Sequence, residues 1–215
     1  KVAAVDDNIP AAQAHRVIDV AGLYVTPGLV DIHIHAYATA GHPQAWAGDN
    51  SILPDGFSFR TGVTTTVDTG SAGWRNFEDF RFRVIDRCQT RLFALVNIAG
   101  TGMTSTDHEQ NPHDMDTDQA AAMARQHGDV VVGIKTAHFC GPEWISVDRC
   151  LEAAEKASLP VMIDFGFFKK ERPYYALLNQ KLRPGDISTH VFRGPTPWFD
   201  ADGKVLSYLH EARER

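Results

Sequence analysis

The stretch Val25-Thr26-Pro27-Gly28-Leu29-Val30-Asp31-Ile32-His33-Ile34-His35 decides how the rest of the chain is read. Pro27-Gly28 marks a turn, and the apolar, β-branched run after it marks a strand. Side chains alternate across a strand, so His33 and His35 share one face while Ile32 and Ile34 share the other. Two imidazoles at a strand end can hold a divalent ion, although His-x-His alone is also met where both rings are simply solvated or hydrogen-bonded.

Working outward, further apolar runs recur at residues 62–68, 92–97, 130–135, 160–164 and 186–190. They are rich in Val and Ile and lack clean alternation, as parallel strands buried on both faces do. With the opening stretch, the runs close on polar residues: His35, Asp68, Asn97, Lys135, Asp164 and His190. The segments between them predict helices. Residues 74–88 place Phe77, Phe80 and Val84 at helical spacing. Residues 116–126 offer Asp116 or Thr117 as cap and Gly128 as stop, and residues 146–157 offer Ser146 as cap.

Alternating strands and helices predict an α/β fold with a parallel sheet. Polar residues at strand C-terminal ends are where a TIM-type (β/α)8 barrel builds its site. No G-x-G-x-x-G or Walker loop follows any strand, which argues against a doubly wound nucleotide-binding sheet. About six barrel strands fit into residues 25–215, and residues 202–215 read as a helix leading toward a seventh. Residues 1–24 predict two short strands, at 1–5 and 16–19, and both ends of the chain read as cut.

The 215 residues are 43% hydrophobic and 22% charged, ordinary for a chain that buries a core. A formal charge of -6, with no run of Lys and Arg, argues against nucleic-acid or anionic-membrane partners. No apolar run approaches the roughly 20 residues of a membrane helix. Cys88, Cys140 and Cys150 form no CxxC pair, so reduced thiols and a cytoplasmic setting are the default, though an export signal before Lys1 stays open.

The segments VTPGLVDIHIH, GVTTTVDTGSAG, VVGIKTAH and GDISTHVF together resemble the amidohydrolase superfamily, in its dihydroorotase-like and deacetylase branch. The resemblance covers nearly the whole chain. It implies that residues 1–24 are part of a small composite β-sandwich preceding the barrel. It also implies two divalent ions, zinc or manganese, held by His33, His35 and His190, with Lys135 carboxylated by carbon dioxide as a bridging ligand. The fifth strand departs from the family's more usual histidine, and Asp164 stands there instead; a carboxylate suits a harder ion better than imidazole does. Lys135 reads alternatively as an ion-pair partner of Asp164.

The implied activity is hydrolysis of an amide, in an N-acyl amino acid or cyclic amide, or of a related acyl ester, by a hydroxide between the ions. The small-molecule substrate would meet Asp68, Asn97 and His138, with His138 read as a ligand, a proton-transfer group or a surface residue. Residues 104–118, including His108 and His113, read as a solvated loop. In the family the general acid is an aspartate ending the eighth strand, which the resemblance places beyond the end of this chain, so it assigns no catalytic residue here. Two other readings stay open: a mononuclear deaminase of the same superfamily, and an inactive barrel serving as a binding module. A homo-oligomer that completes the barrel is also compatible with the sequence.

Overall fold

The computed structural model describes residues 2–37, 51–104, 107–192 and 196–215. Six strands form one sheet: β1 (Leu29–Ile34), β2 (Val63–Gly73), β3 (Arg91–Asn97), β4 (Val131–Thr136), β5 (Val161–Ile163) and β6 (Ile187–Ser188). All neighbours are parallel, and their order in space repeats their order in sequence. Parallel neighbours cannot be joined by a tight hairpin, so each connection crosses back over the sheet. The connections carry α1 (Pro54–Ser58), α2 (Phe77–Phe80), α3 (Thr117–Gln126), α4 (Ile145–Ala157) and α5 (Tyr174–Ala176), while α6 (Ser207–Glu214) follows β6.

The sheet is curled. β1 and β6 are its opposite edges, and at a strand spacing of about 4.8 Å a flat sheet would hold them roughly 24 Å apart. Instead, Thr189 Oγ1, just past β6, lies 2.9 Å from His33 Nδ1, and the His33 and His190 rings are centred 4.9 Å apart. The arc is a partial TIM-type barrel whose strand C-terminal ends converge.

The helices share one buried cluster with the strands. Phe77 and Phe80 of α2, Ala120 and Ala124 of α3, and Val147, Cys150 and Ala154 of α4 belong to it, with Ala94, Val96, Ile134, Val161 and Ile163 from the sheet. The Asp116 carboxylate caps α3 by accepting from the backbone N–H groups of Asp118 and Gln119, each at 3.0 Å. α4 starts earlier than its expected cap. Trp144 holds the N-cap position and Ser146 is buried inside the first turn.

Among the described residues, neither of the two strands expected near the N-terminus forms. Lys1 lies outside the described residues; residues 2–28 are exposed and contain only a 3-10 turn, Ala11–Gln13. A strand must satisfy its N–H and C=O groups on a neighbour, and among the described residues none pairs with 2–5 or 16–19. The β-sandwich assigned to residues 1–24 therefore rests on the resemblance alone.

Candidate functional site

β1 delivers two imidazoles. The His33 and His35 rings are 5.6 Å apart, and each is anchored through Nδ1, His33 to Thr189 Oγ1 and His35 to Ser71 Oγ, both at 2.9 Å. Nε2 is the ring nitrogen left for another partner. Burial first, then the positive charge of Lys135, pushes both rings down to about 4, so they are neutral at pH 7.

Lys135, on β4, is 1% exposed. Burial pushes its amine down to about 8 against the opposing pull of the Asp164 and Glu109 carboxylates. β2 makes room for it through Gly70. There φ is +84°, and a Cβ would stand 2.7 Å from the Cβ and Cγ of Lys135, so no other residue type fits.

Asp68 and Asn97 lie behind these groups, at 0% and 1% exposure. Asp68 accepts from the backbone N–H of Ala36 at 2.6 Å and of Ser71 at 2.9 Å, which fixes the chain on both sides of the His35–Ser71 contact. Asn97 donates to the Gly70 carbonyl at 3.1 Å and accepts from the Ala99 N–H at 3.0 Å. Both shape the site through backbone bonds.

β5 and β6 supply the other half. Asp164 Oδ2 is 3.3 Å from His190 Nε2 and 3.4 Å from His138 Nε2. Burial would raise the Asp164 carboxyl, but the His138 hydrogen bond and the positive charges around it outweigh burial and hold it well below the usual carboxylate range. His138 is half-buried, with its side chain 31% exposed. Its Nδ1 is 2.9 Å from Glu109 Oε2, and hydrogen bonds to Asp164 and Glu109 push the ring up to about 9.

Glu109 is the residue that sequence reasoning missed. It lies in the segment read as a solvated loop, yet it is 2% exposed, and Met115 in the same segment is 1% exposed. His108 and His113 do stay exposed. A glutamate in a polar run carries no signal of burial; only the folded loop brings it against Asn97 and His138.

His33, His35, Lys135, Asp164, His138 and His190 are thus brought together at the strand ends. Among the described residues, no three His, Cys, Asp or Glu side chains stand ready-made around an ion. The donor types fit divalent cations: neutral imidazoles anchored at Nδ1 and a carboxylate kept ionised. A cavity of about 430 Å³ beside them is lined by Asp107, Gln110, His138, Cys140 and Phe167. No helix among the described residues is long and apolar enough to cross a membrane.

No family model matches the sequence. A deacetylase of Agrobacterium fabrum is 31% identical over 204 residues, 90% of this chain and 47% of that protein. A deacetylase of Brucella anthropi is 30% identical over 203 residues, again 90% of this chain and 47% of that protein. The chain therefore spans about half the length of the curated relatives it matches. Among solved structures, an adenine deaminase superposes with a TM-score of 0.76 at 24% identity, over 89% of this chain and 51% of its own. A dihydroorotase superposes with a TM-score of 0.66 at 27% identity, over 88% of this chain and 50% of its own.

Proposed function

We propose that this chain is a member of the amidohydrolase superfamily and carries much of the active site of a metal-dependent hydrolase. The bond cleaved is the acyl–nitrogen bond of an N-acyl amino acid or a cyclic amide, or the related bond of an acyl ester. One observation carries the reading: side chains from both edges of the sheet, His33 on β1 and His190 after β6, meet around buried Lys135 and Asp164. The deacetylase relatives and the dihydroorotase neighbour support carbon–nitrogen chemistry over other uses of the barrel.

His33, His35, Asp164 and His190 would hold two divalent cations, zinc or manganese. Bound there, the ions would supply an activated water and polarise the scissile carbonyl. The chain's own groups prepare the place. Thr189 and Ser71 fix the two β1 imidazoles, and burial keeps both neutral.

Lys135 would join as a carbamate. Its neutral amine would add to the carbon of carbon dioxide and lose one N–H proton to solvent, so that an anion would stand in place of the buried cation. With the amine pushed down to about 8, about a tenth is neutral at pH 7, against less than a thousandth for an ordinary lysine. The cavity beside His138 has room for a small-molecule substrate.

Metal content tests the reading. Mass spectrometry of protein purified in bicarbonate without chelator should find about two ions per chain, and Lys135→Ala should lose at least one. Absence of metal from both proteins would overturn it.

A further inference from the structure

The loop between β3 and α3 grips the loop after β4 in two ways. Glu109 Oε2 takes the side chain of His138 at Nδ1, 2.9 Å away. Gln110 takes the backbone: its Nε2 donates to the His138 carbonyl at 2.8 Å, and its Oε1 accepts from the Cys140 N–H at 2.7 Å. The grip holds a conformation the chain would not choose unaided, because His138 has a left-handed φ of +56°. Glu109 is itself held by Asn97 Nδ2 at 3.4 Å and is 2% exposed. A buried carboxylate this far from solvent is costly unless its partner is fixed in place.

The held ring sits at a boundary. Its Nε2 faces Asp164 Oδ2 at 3.4 Å, while the ring and Gln110 also line the 430 Å³ cavity with Asp107, Cys140 and Phe167. We propose that Glu109 and Gln110 are positioning residues that hold His138 between Asp164 and the cavity, and that the His138 Nε2–H, which meets Asp164 only at 3.4 Å, is shared with the substrate seated there. The second clause rests on the hydrolase reading; the first does not.

Glu109→Ala and Glu109→Gln test the proposal, with two readouts. In ¹⁵N-labelled, chelator-treated protein, the wild type should show a slowly exchanging proton on His138 Nδ1, assigned by its disappearance in His138→Asn. Glu109→Ala should lose that proton, and Glu109→Gln, whose carbonyl still accepts, should keep part of it. In zinc-loaded protein given a panel of N-acetyl amino acids, Glu109→Ala should lower kcat/KM on the order of 10- to 100-fold with metal content unchanged, and Glu109→Gln should recover part of the loss.

A persistent Nδ1 proton in Glu109→Ala would overturn the positioning role. So would a lowered melting temperature with ring signals unchanged. Metal loss in parallel with activity would overturn the assignment of His138 to the substrate. Failure of the wild type to bind metal or to hydrolyse any substrate would fall on the hydrolase reading, while the ring proton would still decide the positioning role.

Discussion

On one side of the site the strands β1 to β4 are six, eleven, seven and six residues long; on the other, β5 and β6 contribute three and two. β4 places Lys135 by pairing it with Asn97 and Met162. His33 instead falls in a register shift of β1 and His35 just past its end, so Thr189 and Ser71 hold the two rings, which burial leaves neutral. The short strands cannot place Asp164 and His190 alone. There the work passes to loops: Glu109 and Gln110 hold His138, and His138 meets Asp164. Where the ladder is regular, as at Lys135, a side chain's position follows from its register; where it is short or shifted, position depends on polar contacts from outside the ladder.

The sharpest way to break the long-strand side is at Gly70. Gly70→Ala adds a Cβ at positive φ into Lys135, and should cost about 3 kcal/mol of stability and at least one of the metal ions proposed for the site. Gly62→Ala supplies the control, because Gly62 also has a positive φ, +77°, but nothing within 4 Å of the added carbon. It should cost only about 1 kcal/mol in urea unfolding. Equal costs for the two variants would show that the close approach to Lys135 matters little.

The two sides should also answer pH in opposite directions once metal is removed. Folded His33 and His35 titrate at about 4, below the roughly 6.5 of an unfolded histidine. Between those values the unfolded chain binds more protons, so stability falls as pH drops from about 6.5 toward 4. Folded His138 titrates at about 9, so its contribution is complete below about 6.5 and is lost as pH rises. From about 8 upward the lowered Lys135 acts in the reverse sense and stabilises with rising pH, which leaves 6.5 to 8 as the window in which His138 is read.

Chelated protein should therefore be most resistant to thermal unfolding near pH 6.5. His35→Asn should flatten the acid limb and His138→Asn the alkaline one. Unchanged limbs in the variants would mean that the two sides do not differ in charge state.

The smallest effect belongs to a residue that serves the scaffold only. Asp116→Ala removes the cap of α3 and should cost about 1 kcal/mol with metal content untouched. Loss of metal with it would show that the long-strand side is less self-sufficient than its ladders imply.

The same contrast governs what could be read from the sequence. β1 to β4 were legible because Val- and Ile-rich runs closing on polar residues have few other uses, and Lys135 stands out as a cation at the end of such a run. The α3 cap was legible at Asp116 for a local reason, a carboxylate two residues before the first free N–H groups. Glu109 was not legible, because its burial comes from a loop folding over the strand ends, and nothing local encodes that. Nor was the exposed course of residues 2–28, since alternating apolar residues describe a strand only when something pairs with it. Asp164 was visible as a departure from a family pattern, but its partner His138 emerged only when the loop after β4 was seen to turn back toward it.

The contact between Thr189 and His33 spans 156 positions in the chain. Every strand pairing, by contrast, joins neighbours in sequence. Such a sheet can add one strand at a time as the chain lengthens, with little loop-closure entropy to overcome at each step. Only the contact between the ends of β1 and β6 must wait until the whole arc exists. The side chains that meet there therefore act as a clasp on the finished fold. A ligand that draws His33 and His190 together binds only the completed arc, and through mass action it stabilises every strand between them.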